Sequence, residues 1–126
     1  MNVKNSIEKI RDFALKRLIE LIGISILVLS ILILAALISY SPNDPNFIYP
    51  KSQNINNILG IKGSIGADFL LQSIGLISYF LPITLIFLSI AIINQKNLIQ
   101  IVNCLFYIVC YSIIGTIFLT QFYKEA

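Results

Sequence analysis

The chain has 126 residues and a formal net charge of +3, but only 12% of its residues are charged and 57% are hydrophobic. A soluble domain of this length carries roughly a quarter charged residues, so the composition excludes an ordinary soluble domain and indicates an integral membrane protein. Histidine is absent and the two cysteines, Cys104 and Cys110, lie in an apolar run, so no catalytic residue, cofactor or metal ligand is predicted.

Residues 1–17 form a basic segment. Its apolar residues recur at near-helical spacing, which predicts an amphipathic helix that either lies on the membrane surface or extends the first span. Cations before a membrane span more often set its orientation than bind nucleic acid, so we expect this segment in the cytoplasm, without direct contact to nucleic acid. The cations are Lys4, Lys9, Arg11, Lys16 and Arg17.

Three runs without charge follow, 21–40, 69–93 and 98–123, and they predict membrane spans at about 18–40, 66–93 and 98–123. A helix of about twenty residues crosses the hydrocarbon core, which is about 30 Å thick. The predicted fold is therefore an all-α membrane protein, with a transmembrane domain over 18–123 and one extracytoplasmic loop, 41–65. The distribution of lysine and arginine predicts an N-terminus inside the cell and a C-terminus outside it.

The stretch SYSPNDPNF, residues 39–47, ends the first run. Pro42 disfavours helical geometry at Ser41, so the helix must stop there, and two successive turns then fold the chain back. We expect Asn43 and Asp44 to hydrogen-bond backbone amides that the helix end leaves exposed. Aromatic residues are expected at headgroup depth, namely Tyr40, Phe47 and Tyr49.

Asp68 and Pro82 stand out in the second run. Asp68 lies near its start, where the sequence predicts helix capping or packing at the outer face, with an ion path as the alternative. Pro82 removes a backbone donor and crowds the carbonyl of Ser78, which predicts either a fixed bend or a hinge. The Ser78 hydroxyl is expected to help satisfy the group that proline leaves free.

Small residues recur in two places. Gly60, Gly63 and Gly66 are spaced by three, and they either allow close approach to another helix or belong to the loop. In the third run, small residues share one helical face, which predicts close packing with a helix of this chain or of another subunit. These residues are Ser112, Gly115, Thr116 and Thr120.

Several of these motifs, taken in order over about residues 20–93, resemble the FtsK/SpoIIIE-type DNA translocases. The stretch 39–45 is similar to that family's SYSPxDPS(W/F) segment, and 57–64 is similar to its NxxG…GA segment. Ala67-Asp68 resembles its AD pair, and residues 75–82 resemble its FGxxAYxxP. The matching residues are Ser39, Tyr40, Ser41, Pro42, Asp44, Pro45, Gly60, Gly63, Asp68, Gly75, Tyr79 and Pro82.

The resemblance implies an N-terminal membrane domain with four helices, which anchors a cytoplasmic hexameric ATPase at the division septum of the bacterial inner membrane. It also implies a link to DNA translocation, cell division and chromosome partition. The implied partners are membrane lipid, other copies of the chain and division-site membrane proteins.

The sequence departs from the family's full pattern in two respects. It predicts three spans rather than four, and it contains no GxxxxGK(S/T) phosphate loop, since residues 60–64 have similar letters in the wrong order. We therefore expect a truncated membrane anchor, whose ATPase motor is absent from this chain. The alternative is a small channel, a holin-like protein or a carrier.

Overall fold

A computed structural model describes residues 3–46, 48 and 54–125, and these contain helices but no strand. Three segments are long and apolar enough to cross a membrane, so the predicted all-α membrane fold is confirmed. Where the bilayer begins and ends along each helix stays a prediction. The elements are α1 (Val3–Ile38), α2 (Gly60–Ile74), a 3₁₀ helix (Gly75–Tyr79), α3 (Phe80–Ile93) and α4 (Leu98–Glu125).

The basic segment and the first apolar run form one uninterrupted helix, α1. Its 36 residues correspond to about 54 Å, which exceeds the hydrocarbon core by about 24 Å. Of the two alternatives for the basic segment, the structure therefore shows an extension of the first span. The exposed side chains along residues 7–18 leave this extension without packing partners among the described residues.

Helix α1 packs mainly against α3, and small residues lie in the buried parts of both helices. A side chain at Gly23 would meet Ile93 of α3. Ser30 in α1 and Ser89 in α3 are fully buried, and each donates its hydroxyl to a carbonyl of its own helix, at 2.6 and 2.7 Å. Small side chains whose hydroxyls are satisfied internally allow helices to approach closely in a membrane.

The second candidate span is interrupted at Gly75, so the predicted bend at Pro82 is wrong in position. Gly75 has a φ of +71°, which favours glycine, and the 3₁₀ helix separates α2 from α3 there. Pro82 is the third residue of α3, in a first turn that tolerates a missing backbone donor. The expected role of Ser78 is also wrong, because its buried hydroxyl has no hydrogen-bond partner among the described residues.

Helix α4 lies along α3 and the 3₁₀ helix, and none of its described residues is buried. The hydroxyls of Thr84 and Tyr111 are 2.9 Å apart, and the Thr116 hydroxyl donates to the Ile74 carbonyl at 3.4 Å. A side chain at Gly115 would meet the side chain of Ile77. The predicted small-residue face of α4 therefore contacts this same chain at its centre.

Candidate functional site: a polar cap at the end of the first helix

Polar side chains gather where α1 ends and α2 begins. A buried polar group destabilises a protein unless it is hydrogen-bonded, so the partners of each group decide whether the cluster is stable. Four of these residues are buried and three are partly buried. We call them together the polar cap: Asp44, Asn57, Ser64 and Asp68, with Ser39, Tyr40 and Tyr79.

Asp44 joins the two described stretches of the loop. Its carboxylate is 4% exposed and accepts from the backbone amides of Asn56 and Asn57, at 2.8 and 2.9 Å. The Asp44 amide donates to the Ser41 carbonyl, which closes the turn that contains Pro42. The prediction that Asp44 binds amides at the end of α1 is wrong, because the C-terminus of a helix leaves carbonyls unpaired, not amides.

Asn57 links the loop to the unpaired carbonyls of α1. Its side-chain nitrogen donates to the Ala36 carbonyl at 2.9 Å, and its side-chain oxygen accepts from the Leu59 amide at 3.0 Å. Its backbone carbonyl accepts from the Gly60 amide at 2.9 Å, just before α2 begins. One asparagine therefore ends α1 and starts α2.

Ser39 and Tyr79 complete the end of α1. The Ser39 hydroxyl donates to the Ala35 carbonyl at 2.7 Å and accepts from the Ile58 amide at 3.2 Å. The Tyr79 hydroxyl donates to the Leu37 carbonyl at 3.1 Å. Three consecutive carbonyls at the end of α1 thus receive side-chain donors from three different parts of the chain.

The three spaced glycines have different roles. Gly60 has a φ of +67°, which favours glycine at the turn into α2. A side chain at Gly63 would collide with Asn57, so this glycine lets α2 approach the loop closely, whereas a side chain at Gly66 would meet nothing within 4 Å. The Ser64 hydroxyl donates to the Pro45 carbonyl at 2.7 Å.

Helix α2 therefore begins at Gly60, inside the segment 41–65 that the sequence assigned entirely to the loop. The sequence suggested a loop because residues 60–64 include two glycines, a lysine and a serine. In the structure, the contacts with the polar cap give those small residues partners while they are helical.

Asp68 lies 6% exposed within α2, with both carboxylate oxygens occupied. One accepts from the Tyr40 hydroxyl at 3.0 Å, and the other accepts from the Gln72 side-chain amide at 2.7 Å. The predicted capping role is wrong because α2 begins at Gly60, two turns earlier. Packing at this end of the bundle, the other predicted role, agrees with these contacts.

Tyr40 lies two residues after the end of α1 and faces Asp68. Burial raises the pKa of Tyr40 above its usual value of 10.0, and the hydrogen bond to the Asp68 carboxylate raises it further. Tyr40 therefore remains a protonated donor at neutral pH.

The structure brings most of the predicted motif residues together and separates two of them. Ten lie in or beside the polar cap, whereas Gly75 lies at the break in the second candidate span and Pro82 lies in the first turn of α3. Sequence reasoning missed Asn57, Ser64 and Gln72 as partners. Phe47 and Tyr49 lie outside the described residues, so their headgroup depth stays a prediction.

The polar cap has the chemistry of a structural site. Its carboxylates and its buried amide are occupied by donors and acceptors of the same chain. Within residues 3–46, 48 and 54–125, no group of three histidine, cysteine, aspartate or glutamate side chains is placed to hold a metal. The arrangement fixes the end of α1 against α2.

Comparisons with known proteins agree on one family. A family model described as the 4TM region of DNA translocase FtsK/SpoIIIE matches residues 15–125. The chain is 40% identical over 75 residues to the DNA translocase FtsK of Bradyrhizobium diazoefficiens, an alignment that covers 60% of this chain and 9% of that protein. No solved structure matches. The family match includes the polar cap and reaches from α1 to the end of α4.

Proposed function

The chain belongs to the family that forms the 4TM region of the DNA translocases FtsK/SpoIIIE, and from this premise we propose that it anchors and assembles such a machine in the membrane. The observation that carries the proposal is the match over 15–125, which includes the second and third candidate spans and residues 15–38 of the first. Since the chain spans 9% of the curated relative, the link to DNA translocation, cell division and chromosome partition is part of the proposal.

The proposed location is the bacterial inner membrane, with the N-terminus in the cytoplasm. The Gln95 side chain donates to Glu20 at 3.2 Å, so the turn with Lys96 lies beside the basic part of α1. Most of the lysine and arginine residues then lie at one end of the bundle, which the positive-inside rule assigns to the cytoplasm. The polar cap and Lys124 lie at the opposite, outer end.

The polar cap gives this anchor a defined outer face. One continuous helix, α1, joins the proposed cytoplasmic extension to the carbonyls that Asn57 and Tyr79 bind. The proposed partners are membrane lipid, further copies of the chain and membrane proteins of the division site.

We assign no ATP hydrolysis to this chain, because its sequence has no phosphate loop of the Walker type. We also propose that its N-terminal cations orient the first span and do not contact nucleic acid. The alternative of a channel or carrier is less well supported. The groove between α1 and α2 is lined mainly by apolar side chains, whereas a path for ions requires polar groups along the membrane.

Localisation of a fluorescent fusion tests the function. The wild-type chain should accumulate at the division septum. Asp44→Ala, which removes the carboxylate that joins the loop, should reach the membrane in equal amount but accumulate less at the septum. Asp12→Ala, on the exposed part of α1, is the matched control. Even distribution of the wild-type chain around the cell would contradict the proposed role.

The orientation has its own test. A reporter that is active only outside the cytoplasm should give signal when it is fused after Ala126 and none when it is fused after Lys96. The opposite pattern would refute the proposed topology without bearing on septal localisation.

A further inference from the structure

An apolar groove of about 340 Å³ runs between α1 and α2, starting next to the polar cap. Leu29, Ile33 and Ala36 of α1 form one wall, and Leu70 lies on the other. Small residues of α2 line the groove between them. A side chain at Gly66 would meet nothing within 4 Å, so the space beside this glycine is open.

Lys62 lies at the end of the groove that is nearest to the polar cap. It is exposed and makes no hydrogen bond or ion pair with the described residues. The carboxylates of Asp44 and Asp68 are buried and already accept two hydrogen bonds each. The Lys62 ammonium group is therefore available to an anion that comes from outside this part of the chain.

The cation and the groove are arranged like the headgroup and the acyl chain of a lipid. Lys62 and Leu70 are separated by eight residues of one helix, about 12 Å along its axis. A lysine near the end of a membrane helix extends its ammonium group to headgroup depth, and the apolar groove continues from there into the hydrocarbon.

We propose that this groove binds one acyl chain of an anionic phospholipid, whose phosphate contacts the Lys62 ammonium group. A second copy of the chain fits less well. The acidic residues Glu8, Asp12 and Glu20 lie towards the opposite end of α1, so in a copy inserted in the same orientation the one acidic residue outside the polar cap at the end that holds Lys62 is Glu125, the last residue of α4. A phospholipid of the outer leaflet supplies both the anion and the apolar chain at the right depths.

Native mass spectrometry of the purified chain tests this site. The probes are phosphatidylglycerol and phosphatidylcholine with identical acyl chains, each added to the delipidated protein in detergent. We expect Gly66→Leu, which fills the groove, to lower the occupancy of both lipids. We expect Lys62→Gln to lower the occupancy of phosphatidylglycerol about fivefold, since one cation near a membrane surface contributes about that factor. The occupancy of phosphatidylcholine should fall less, because its choline ammonium group offsets the charge of its phosphate.

Two controls separate the groove from general effects. Ser73→Leu adds the same side chain to α2 on the side that faces α4, outside the groove between α1 and α2, and Lys96→Gln removes a cation at the opposite end of the bundle. Both should retain wild-type occupancy, with circular dichroism confirming equal helix content in all variants. Unchanged lipid binding in Lys62→Gln would overturn the proposal. So would a lipid-free dimer that Gly66→Leu abolishes, which would assign the groove to a second copy.

Discussion

The polar cap and helix α4 are attached to the molecule in different ways. In the polar cap, several hydrogen bonds join residues that lie 12 to 42 positions apart, and three consecutive carbonyls near the end of α1 receive side-chain donors. Helix α4 has no buried residue in its described part, and its hydroxyl contacts with α3 and Ile74 are 2.9 and 3.4 Å long.

The difference arises because lipid, and not water, surrounds the helices. Lipid tails are as apolar as leucine, so an apolar helix gains little free energy when it exchanges contacts with lipid for contacts with another apolar helix. Small residues and hydrogen bonds then decide where a helix lies. We infer that the polar cap is the most precisely specified part of this domain and that α4 is the least specified part.

The largest effect is expected from Asp44→Asn, which turns one of two acceptor oxygens into a donor facing a backbone amide. We expect the free energy of unfolding to fall by about 3 kcal/mol, the upper value for a hydrogen bond to a charged group. Unfolding in detergent by a denaturing surfactant, followed by circular dichroism, measures it. Asp12→Asn, whose side chain is 62% exposed, should change stability by less than about 0.5 kcal/mol. Equal effects of the two changes would refute the structural role of Asp44.

A pair of glycine changes tests the same region with matched chemistry. Gly63→Ala places a methyl group against Asn57 and should lower stability by about 1–3 kcal/mol, because Asn57 is held in place by its own hydrogen bonds. Gly66→Ala meets open space in the same helix and should raise stability by up to about 1 kcal/mol through helix propensity. If both substitutions raise stability, or if both lower it, the difference expected between Gly63 and Gly66 is refuted.

For α4, the expected effect is smaller. Tyr111→Phe removes the hydrogen bond with Thr84 and should lower the free energy of unfolding by about 0.6 kcal/mol, the average for such bonds between membrane helices. The exposed Tyr107 provides the control, since Tyr107→Phe removes no such bond. A loss as large as that of Asp44→Asn would show that α4 is as firmly specified as the polar cap.

The smallest effect is expected at Ser78, whose buried hydroxyl has no partner among the described residues. Ser78→Ala should leave the free energy of unfolding unchanged or raise it slightly, because no hydrogen bond is lost. Ser64→Ala, which removes the hydrogen bond to the Pro45 carbonyl, should lower it by about 1 kcal/mol. If Ser78→Ala destabilises the protein as much as Ser64→Ala, the Ser78 hydroxyl has a partner in solution.

Much of this architecture follows from the sequence. The uncharged runs predicted the three long helices, because length and apolar composition alone determine which segments can cross a bilayer. The turn residues around Pro42 predicted the end of α1 to within a few residues. The ordered motifs also indicated the family, which the match over 15–125 confirms.

The pairings inside the polar cap are not predictable in the same way. Asn57 lies among several asparagines of the loop, and nothing local distinguishes the one that reaches the Ala36 carbonyl. A proline gives a strong local signal for a bend, whereas a glycine such as Gly75 gives a weak one, since glycine tolerates helical geometry as well as positive φ. Tertiary contacts, which cannot be read from the local sequence, decide both the partner of Asn57 and the position of the break at Gly75.

Hydrogen exchange at the amides of Asn56 and Asn57 tests the central claim most directly, namely that the polar cap is a built structure. These amides lie outside any helix, so the Asp44 carboxylate is their main protection. In the wild-type chain they should exchange slowly, and in Asp44→Asn at least about tenfold faster, with exchange in α4 unchanged. Exchange in the wild-type chain at the rate of unprotected amides, or equal rates in the two proteins, would contradict the account.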